Sequence, residues 1–158
     1  MRSASGSRTP FRDRWQPYEE FMDKPQEKSK SALHSMPVVL AVDDDPALLR
    51  IIESQLTRHD YEVKTAASGE EALRILREMT PAVLILDVMM DGISGYDLCT
   101  VVKRDERLQN VPVIFLTSRG TPKDYKTGHE LGAVIYMVKP LKPEKLVNVV
   151  RMLCPVSV

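Results

Sequence analysis

From Val38 onward, short apolar runs alternate with amphipathic stretches. Val38-Val39-Leu40-Ala41-Val42 is a continuous apolar run rich in β-branched residues, the pattern of a strand covered on both faces. After Asp45-Pro46, an N-cap with the preferred first-turn proline, Leu48, Leu49, Ile51, Ile52 and Leu56 mark one face of a helix. Tyr61 to Ala66 predicts a second strand. Ser68 and Glu71 form a capping-box pattern ahead of Ala72, Leu73, Ile75 and Leu76. Val83-Leu84-Ile85-Leu86 predicts a third, buried strand. Ser94 and Asp97 open the next helix, which carries Leu98, Val101 and Val102. Val111 to Leu116 predicts a fourth strand, with Pro112 keeping its first residue at a margin. Thr121-Pro122 starts a helix that Gly132 suits as a terminus. Val134 to Val138 then predicts a fifth strand and Pro143 to Leu153 a last helix. Five strand–helix units in succession predict an α/β fold, a parallel sheet between layers of helices. Right-handed crossovers put any ligand crevice at the carboxyl ends of the strands.

Residues 1–36 lack this rhythm. They mix Ser, Gly, Pro and charge, which predicts a flexible tail ahead of a domain over 37–158. Phe11, Trp15, Tyr18 and Phe21 nevertheless follow near-helical spacing, and they include the only tryptophan. A segment that folds on a partner has this pattern, although Pro17 interrupts it; a solvated extension is the plainer reading. Met36, immediately before the first strand, leaves open a translation start placed too far upstream.

Composition narrows the function classes. The 22 basic and 22 acidic residues cancel, which argues against a wholly cationic nucleic-acid binder. No apolar run approaches the roughly 20 residues that span a bilayer. Cys99 and Cys154 are too few for a disulfide framework or a cysteine zinc site. A reducing, cytoplasmic setting is expected. Residues 1–36 carry seven basic and five acidic residues, and residues 37–158 carry fifteen and seventeen. Neither imbalance is large, so where the charges lie matters more than their sum.

The predicted strand ends collect chemistry. Strand one ends in Asp43-Asp44-Asp45, strand three in Asp87, strand four in Thr117-Ser118 and strand five in Lys139-Pro140. Any one could serve a cap or turn, as Asp45 does; four on one edge are harder to explain that way. Two carboxylates 4 Å apart repel by about 4 kcal/mol at an effective dielectric near 20, so a cation must relieve the cluster. Oxygen-only ligands with open positions favour Mg²⁺. With that ion and Lys139 the charge of Asp43, Asp44 and Asp87 is balanced, and the site could accept a phosphoryl group with Asp87 as nucleophile. Lys139 would then neutralise phosphoryl charge, and the Thr117 hydroxyl would hold a further oxygen.

Val39-Leu40-Ala41-Val42-Asp43-Asp44-Asp45-Pro46 resembles the opening of a response-regulator receiver domain. Leu86-Asp87-Val88-Met89-Met90, Phe115-Leu116-Thr117-Ser118 and Tyr136-Met137-Val138-Lys139-Pro140 resemble that family's later signatures, in order and spacing, over about residues 37–153. The resemblance implies a flavodoxin-like (βα)5 fold with strand order 2-1-3-4-5. It implies Asp87 as phosphoacceptor, with Mg²⁺ held by Asp44, by Asp43 directly or through water, by Asp87, and by the Met89 backbone carbonyl. Thr117 and Tyr136 would be the switch pair, Lys139 would contact the phosphoryl group, and the peptide bond to Pro140 would be cis. The donor would be a histidine kinase or histidine phosphotransfer protein. Output would run through protein contacts, with no direct nucleic-acid contact or membrane insertion, from a monomer or a phosphorylation-dependent dimer. Only Pro155-Val156-Ser157-Val158 follow the last helix, so a stand-alone receiver is expected unless the chain is a fragment.

Several positions depart from the family pattern. Asp91 replaces a common proline, Leu141 a common aromatic, and Val134-Ile135 a common acidic pair, which could widen an apolar signalling face. Met89 and Arg119 stand where the family tunes phosphoryl lifetime; bulky Met89 is expected to shield the acyl phosphate and extend its lifetime to minutes or longer. Lys123, Lys126, Lys142 and Lys145 read as solvated charges rather than a nucleic-acid patch. Competing readings fare worse. Some Mg²⁺ phosphatases place a second Asp two residues after the nucleophile, where this chain has Met89, so at most slow self-catalysed turnover is expected. No glycine fingerprint or phosphate loop follows a strand. The remaining alternative is a receiver-like scaffold that acts without phosphorylation.

Overall fold

The computed structural model describes residues 35–118, 122–132 and 135–156. The aromatic stripe at Phe11, Trp15, Tyr18 and Phe21, together with Arg119, Thr121 and Val134, lies outside them. Among the described residues the strands are β1 (Val38–Val42), β2 (Glu62–Ala66), β3 (Val83–Asp87), β4 (Val113–Thr117) and β5 (Ile135–Val138). The helices are α1 (Pro46–Thr57), α2 (Gly69–Glu78), α3 (Gly95–Arg104), α4 (Pro122–Glu130) and α5 (Pro143–Leu153). All strand pairs are parallel and the order is β2-β1-β3-β4-β5, as expected of a flavodoxin-like (βα)5 fold.

Alternation along the strands divides the core in two. Leu40, Val42, Leu84, Leu86, Val113 and Phe115 face α2 and α3, meeting Leu73, Leu76, Leu98 and Val102. Val39, Ala41, Val83, Ile85, Ile114 and Leu116 face α1 and α5, meeting Ile52, Leu56, Leu146 and Val150. Because helices cover both faces, β3 and β4 are buried throughout and read as unbroken apolar runs. Edge strands β2 and β5 are partly exposed.

Local differences from the sequence pattern have simple causes. Tyr61 precedes β2 instead of starting it; its ring is fully buried and its hydroxyl donates to the Cys154 carbonyl at 2.5 Å. β4 begins at Val113, because Pro112 has no amide hydrogen and the Val111 amide is taken by a turn to Leu108. Ile51 is 45% exposed, so the buried stripe of α1 is narrower than its apolar content, with Leu49, Ile52 and Leu56 inside. At α2 the Ser68 hydroxyl accepts from the Glu71 amide at 3.1 Å, but Glu71 reaches back to the Ala67 amide at 2.9 Å, one residue beyond the usual box. Gly132 closes α4 at φ +82°, a conformation that glycine adopts without penalty.

The exit of α2 is held by a residue far away in sequence. Arg107, in the loop after α3, donates to the carbonyls of Leu76 at 2.5 Å and Met79 at 3.3 Å and to the Thr80 hydroxyl at 3.1 Å. A guanidinium on terminal carbonyls satisfies orphan acceptors and suits the negative helix end. Arg107→Ala is expected to lower unfolding free energy by about 1–3 kcal/mol, read from urea midpoints at constant slope.

Candidate functional site: an acidic pocket at the carboxyl edge of the sheet

Crossover geometry brings the ends of β1, β3, β4 and β5 to one edge. Asp43 follows β1 and its amide donates to Ala66 at 3.1 Å, which fixes the backbone where the sheet ends. Its Oδ1 accepts from the Asp45 amide at 2.9 Å, and Asp45 in turn caps α1 through the Ala47 amide at 3.0 Å. Asp87 is the last residue of β3 and is 4% exposed; Asp43 is fully buried and Asp44 exposed. One carboxylate oxygen from each of the three lies within 4.8 Å of the others.

Lys139 bridges two of these acids. Its Nζ lies 2.8 Å from Asp43 Oδ2 and 3.4 Å from Asp87 Oδ1. The Lys139 amide donates to the Thr117 carbonyl at 2.7 Å, and the Lys139–Pro140 peptide bond is cis. Thr117 ends β4, is 3% exposed, and pairs in register with Val138. The Met89 amide donates to Asp87 Oδ1 at 3.3 Å. The Met89 side chain is 71% exposed, so shielding an acyl phosphate would require it to fold inward.

Burial, then the Asp43 charge, push the Asp87 carboxyl up to about 6, against the pull of Lys139 and the Met89 amide. Burial also works against the Lys139 charge, yet contact with Asp43 and Asp87 outweighs it and holds the ammonium above its ordinary range. Because Asp87 binds its proton more tightly folded than unfolded, its contribution to stability is present below about pH 4 and lost as pH rises through about 6. Metal-free protein is therefore expected to melt lower at pH 7 than at pH 5, and Asp87→Asn to flatten that part of the profile.

Three carboxylates against one ammonium leave net negative charge, and the buried Asp43 Oδ2 has the Lys139 ammonium at 2.8 Å as its charge partner. An all-oxygen donor set of two buried carboxylates and an exposed third, still net negative beside one ammonium, fits a hard divalent cation that keeps some of its waters.

Around this pocket the structure adds residues that the motifs did not single out. Gly95 starts α3 with its amide on the Val88 carbonyl at 3.1 Å, and a Cβ there would stand 2.1 Å from the Asp87 carbonyl oxygen. Tyr136 packs on Phe115 with ring centroids 5.3 Å apart, and Tyr96 of α3 meets Phe115 edge-on at 5.1 Å. The Tyr96 and Tyr136 hydroxyls are hydrogen-bonded to each other. Glycine directly after the Ser94 cap was a legible hint of close approach; no sequence signal pairs Tyr96 with Tyr136. Among the departures, Asp91 is exposed, while Leu141 and Ile135 are half-buried against the α1–α5 core, so Ile135 adds less to an open apolar face than expected. Lys123, Lys126, Lys142 and Lys145 are exposed, Lys126 lying 4.0 Å from Glu130.

A flavodoxin-like sheet with acidic, hydroxyl and ammonium groups on its carboxyl edge is the arrangement of a receiver-type domain. The family model for the response regulator receiver domain matches residues 39–151, and this chain belongs to that family. Among curated proteins it is 43% identical over 107 residues to the transcriptional regulatory protein AfsQ1 of Streptomyces coelicolor, covering 68% of this chain and 46% of that one. It is 36% identical over 113 residues to the DNA-binding response regulator MtrA of Mycolicibacterium smegmatis, covering 72% and 48%. The chain thus spans less than half the length of these relatives. Among solved structures, the chemotaxis protein CheY4 of Vibrio cholerae superposes with a TM-score of 0.72 at 32% identity, over 75% of this chain and 98% of that one. The Thermotoga maritima response regulator DrrB gives 0.67 at 33% identity, over 73% and 51%.

Proposed function

We propose that this receiver domain is a phosphorylation switch in which Asp87 takes a phosphoryl group from a histidine kinase or histidine phosphotransfer protein. The observation that carries this reading is the convergence of Asp43, Asp44 and Asp87 within 4.8 Å, with Lys139 across two of them. An Asp87 oxygen attacks phosphorus, the bond to the donor imidazole breaks, and that nitrogen keeps the electron pair. Asp43, Asp44, Asp87 and the Met89 carbonyl would hold Mg²⁺, which when bound supplies positive charge to the transferring oxygens. Lys139 gives up part of its contact with Asp87 to neutralise a phosphoryl oxygen, and the Thr117 hydroxyl holds another. Self-catalysed transfer and hydrolysis are slow, and the domain acts in the cytoplasm.

Thr117 and Tyr136 are the proposed switch pair, and the product biases an inactive–active equilibrium only by its differential stabilisation of the two states. Moving the Tyr136 ring must break or carry its bond to Tyr96. Tyr96→Phe is expected to change the unphosphorylated active fraction severalfold, since such a bond contributes about 1 kcal/mol. NMR of a fluorinated tyrosine at 136 reads that fraction; an unchanged spectrum outside the local ring shift argues against the coupling. For output we propose protein contacts by the receiver rather than direct contact with nucleic acid.

The test is transfer from a labelled phosphohistidine domain in Mg²⁺. Acid-labile label should move to the wild type, stop with chelator, and leave the donor no faster when Thr117 or Lys139 is replaced. Transfer at equal rates with chelator would sink the proposal.

A further inference from the structure

At the opposite end of the sheet the structure shows a groove of about 700 Å³, about 17 Å from the acidic pocket along β1. Its walls come from the chain entering β1, the turn before β3 and the chain leaving α5, including Met36, Pro81, Cys154, Pro155 and Val156. Met36 is 47% exposed there, an apolar side chain with little cover. Asp60 is the charged member of the described lining. It lies at φ +68° in the turn before β2.

We propose that this groove is the docking site of the chain's own aromatic segment, Phe11 to Phe21, with Trp15 as its anchor. Three observations select that occupant. Ser35 lines the groove, so the preceding chain begins at its rim. Residues 22–34 are predominantly polar and can reach about 40 Å when extended, which is ample to fold Phe21 and Trp15 back over the rim. Phe11, Trp15, Tyr18 and Phe21 supply four aromatic rings, so the segment would bring apolar surface to a groove walled by Met36, Pro81, Pro155 and Val156. A tether of this length gives an effective concentration of order millimolar, above that of a free partner with similar side chains. Docking would cover Met36 and fasten residues 154–156 to the start of β1, with no involvement of the phosphoacceptor pocket.

Trp15 is the only tryptophan, so the full chain reports directly. Its emission should be blue-shifted from N-acetyltryptophanamide, with acrylamide quenching reduced about threefold or more, as for a ring removed from water. Met36→Asp and Pro155→Asp, both at exposed positions, should each restore free-type emission and quenching, with circular dichroism unchanged. The protection should persist on dilution. Free-type emission in the wild type overturns the proposal. So does protection that survives both variants, which would put Trp15 elsewhere, or protection lost on dilution, which would make a second copy the occupant.

Discussion

Asp87→Asn should abolish acid-labile labelling while raising the melting temperature of metal-free protein at neutral pH. The two effects have one origin. Asp87 is buried beside Asp43, and that environment holds its carboxyl up to about 6, so ionisation at pH 7 costs folding free energy. The amide is neutral and of nearly the same shape. It should recover about 1–3 kcal/mol, minus the Lys139 contact it weakens, and the gain should vanish toward pH 4. Labelling should fall below detection because the amide lacks the nucleophilic oxyanion. Mg²⁺-dependent labelling that persists at another carboxylate would remove Asp87 from its assigned role. A melting temperature lowered equally at pH 5 and pH 7 would contradict the electrostatic account.

Gly95→Ala should be the most damaging single methyl addition on the acidic side of the molecule. The new Cβ would lie 2.1 Å from the Asp87 carbonyl oxygen, 2.8 Å from its carbon and 3.1 Å from Val88 Cα, all backbone atoms. Nothing there can rotate away, so either β3 or the start of α3 must shift. A loss of about 3 kcal/mol or more is expected in urea denaturation, with weakened Mg²⁺ binding in whatever folds. Gly69→Ala is the natural comparison. Its Cβ would stand 2.7 Å from Ile93 Cβ and 3.1 Å from the Ile93 carbonyl oxygen, a shallower overlap than 2.1 Å, so a smaller loss is expected. If both variants melt like wild type, the close packing of the β3–α3 turn is not what places Asp87.

These predictions separate what was legible from what was not. Strand ends were legible because buried parallel strands are unbroken apolar runs, and the first charged or hydroxyl residue after each marks the sheet edge; Asp43, Asp87, Thr117 and Lys139 all stand there. Caps were legible for the same local reason, as at Ser94, whose hydroxyl accepts from the Asp97 amide at 3.1 Å. Contacts between distant segments were not. Arg107 on the end of α2, the Tyr96–Tyr136 bond and the Tyr61 hydroxyl on Cys154 join residues 31, 40 and 93 positions apart, and no periodicity encodes them. The start of β4 was misplaced by two residues, because apolar Val111 continues the strand pattern while Pro112 interrupts its hydrogen bonding. Asp43 Oδ2 is the instructive case at the site. Sequence located the residue, but only the structure shows its fully buried Oδ2 held 2.8 Å from the Lys139 ammonium.

The most direct test of the account is chemical trapping of the acyl phosphate. The chain would be phosphorylated in Mg²⁺, reduced with tritiated borohydride, and mapped by peptide sequencing. Tritium should appear as homoserine at position 87 alone, and should be absent without Mg²⁺. Tritium at a different carboxylate, or equal incorporation with and without the ion, would contradict it.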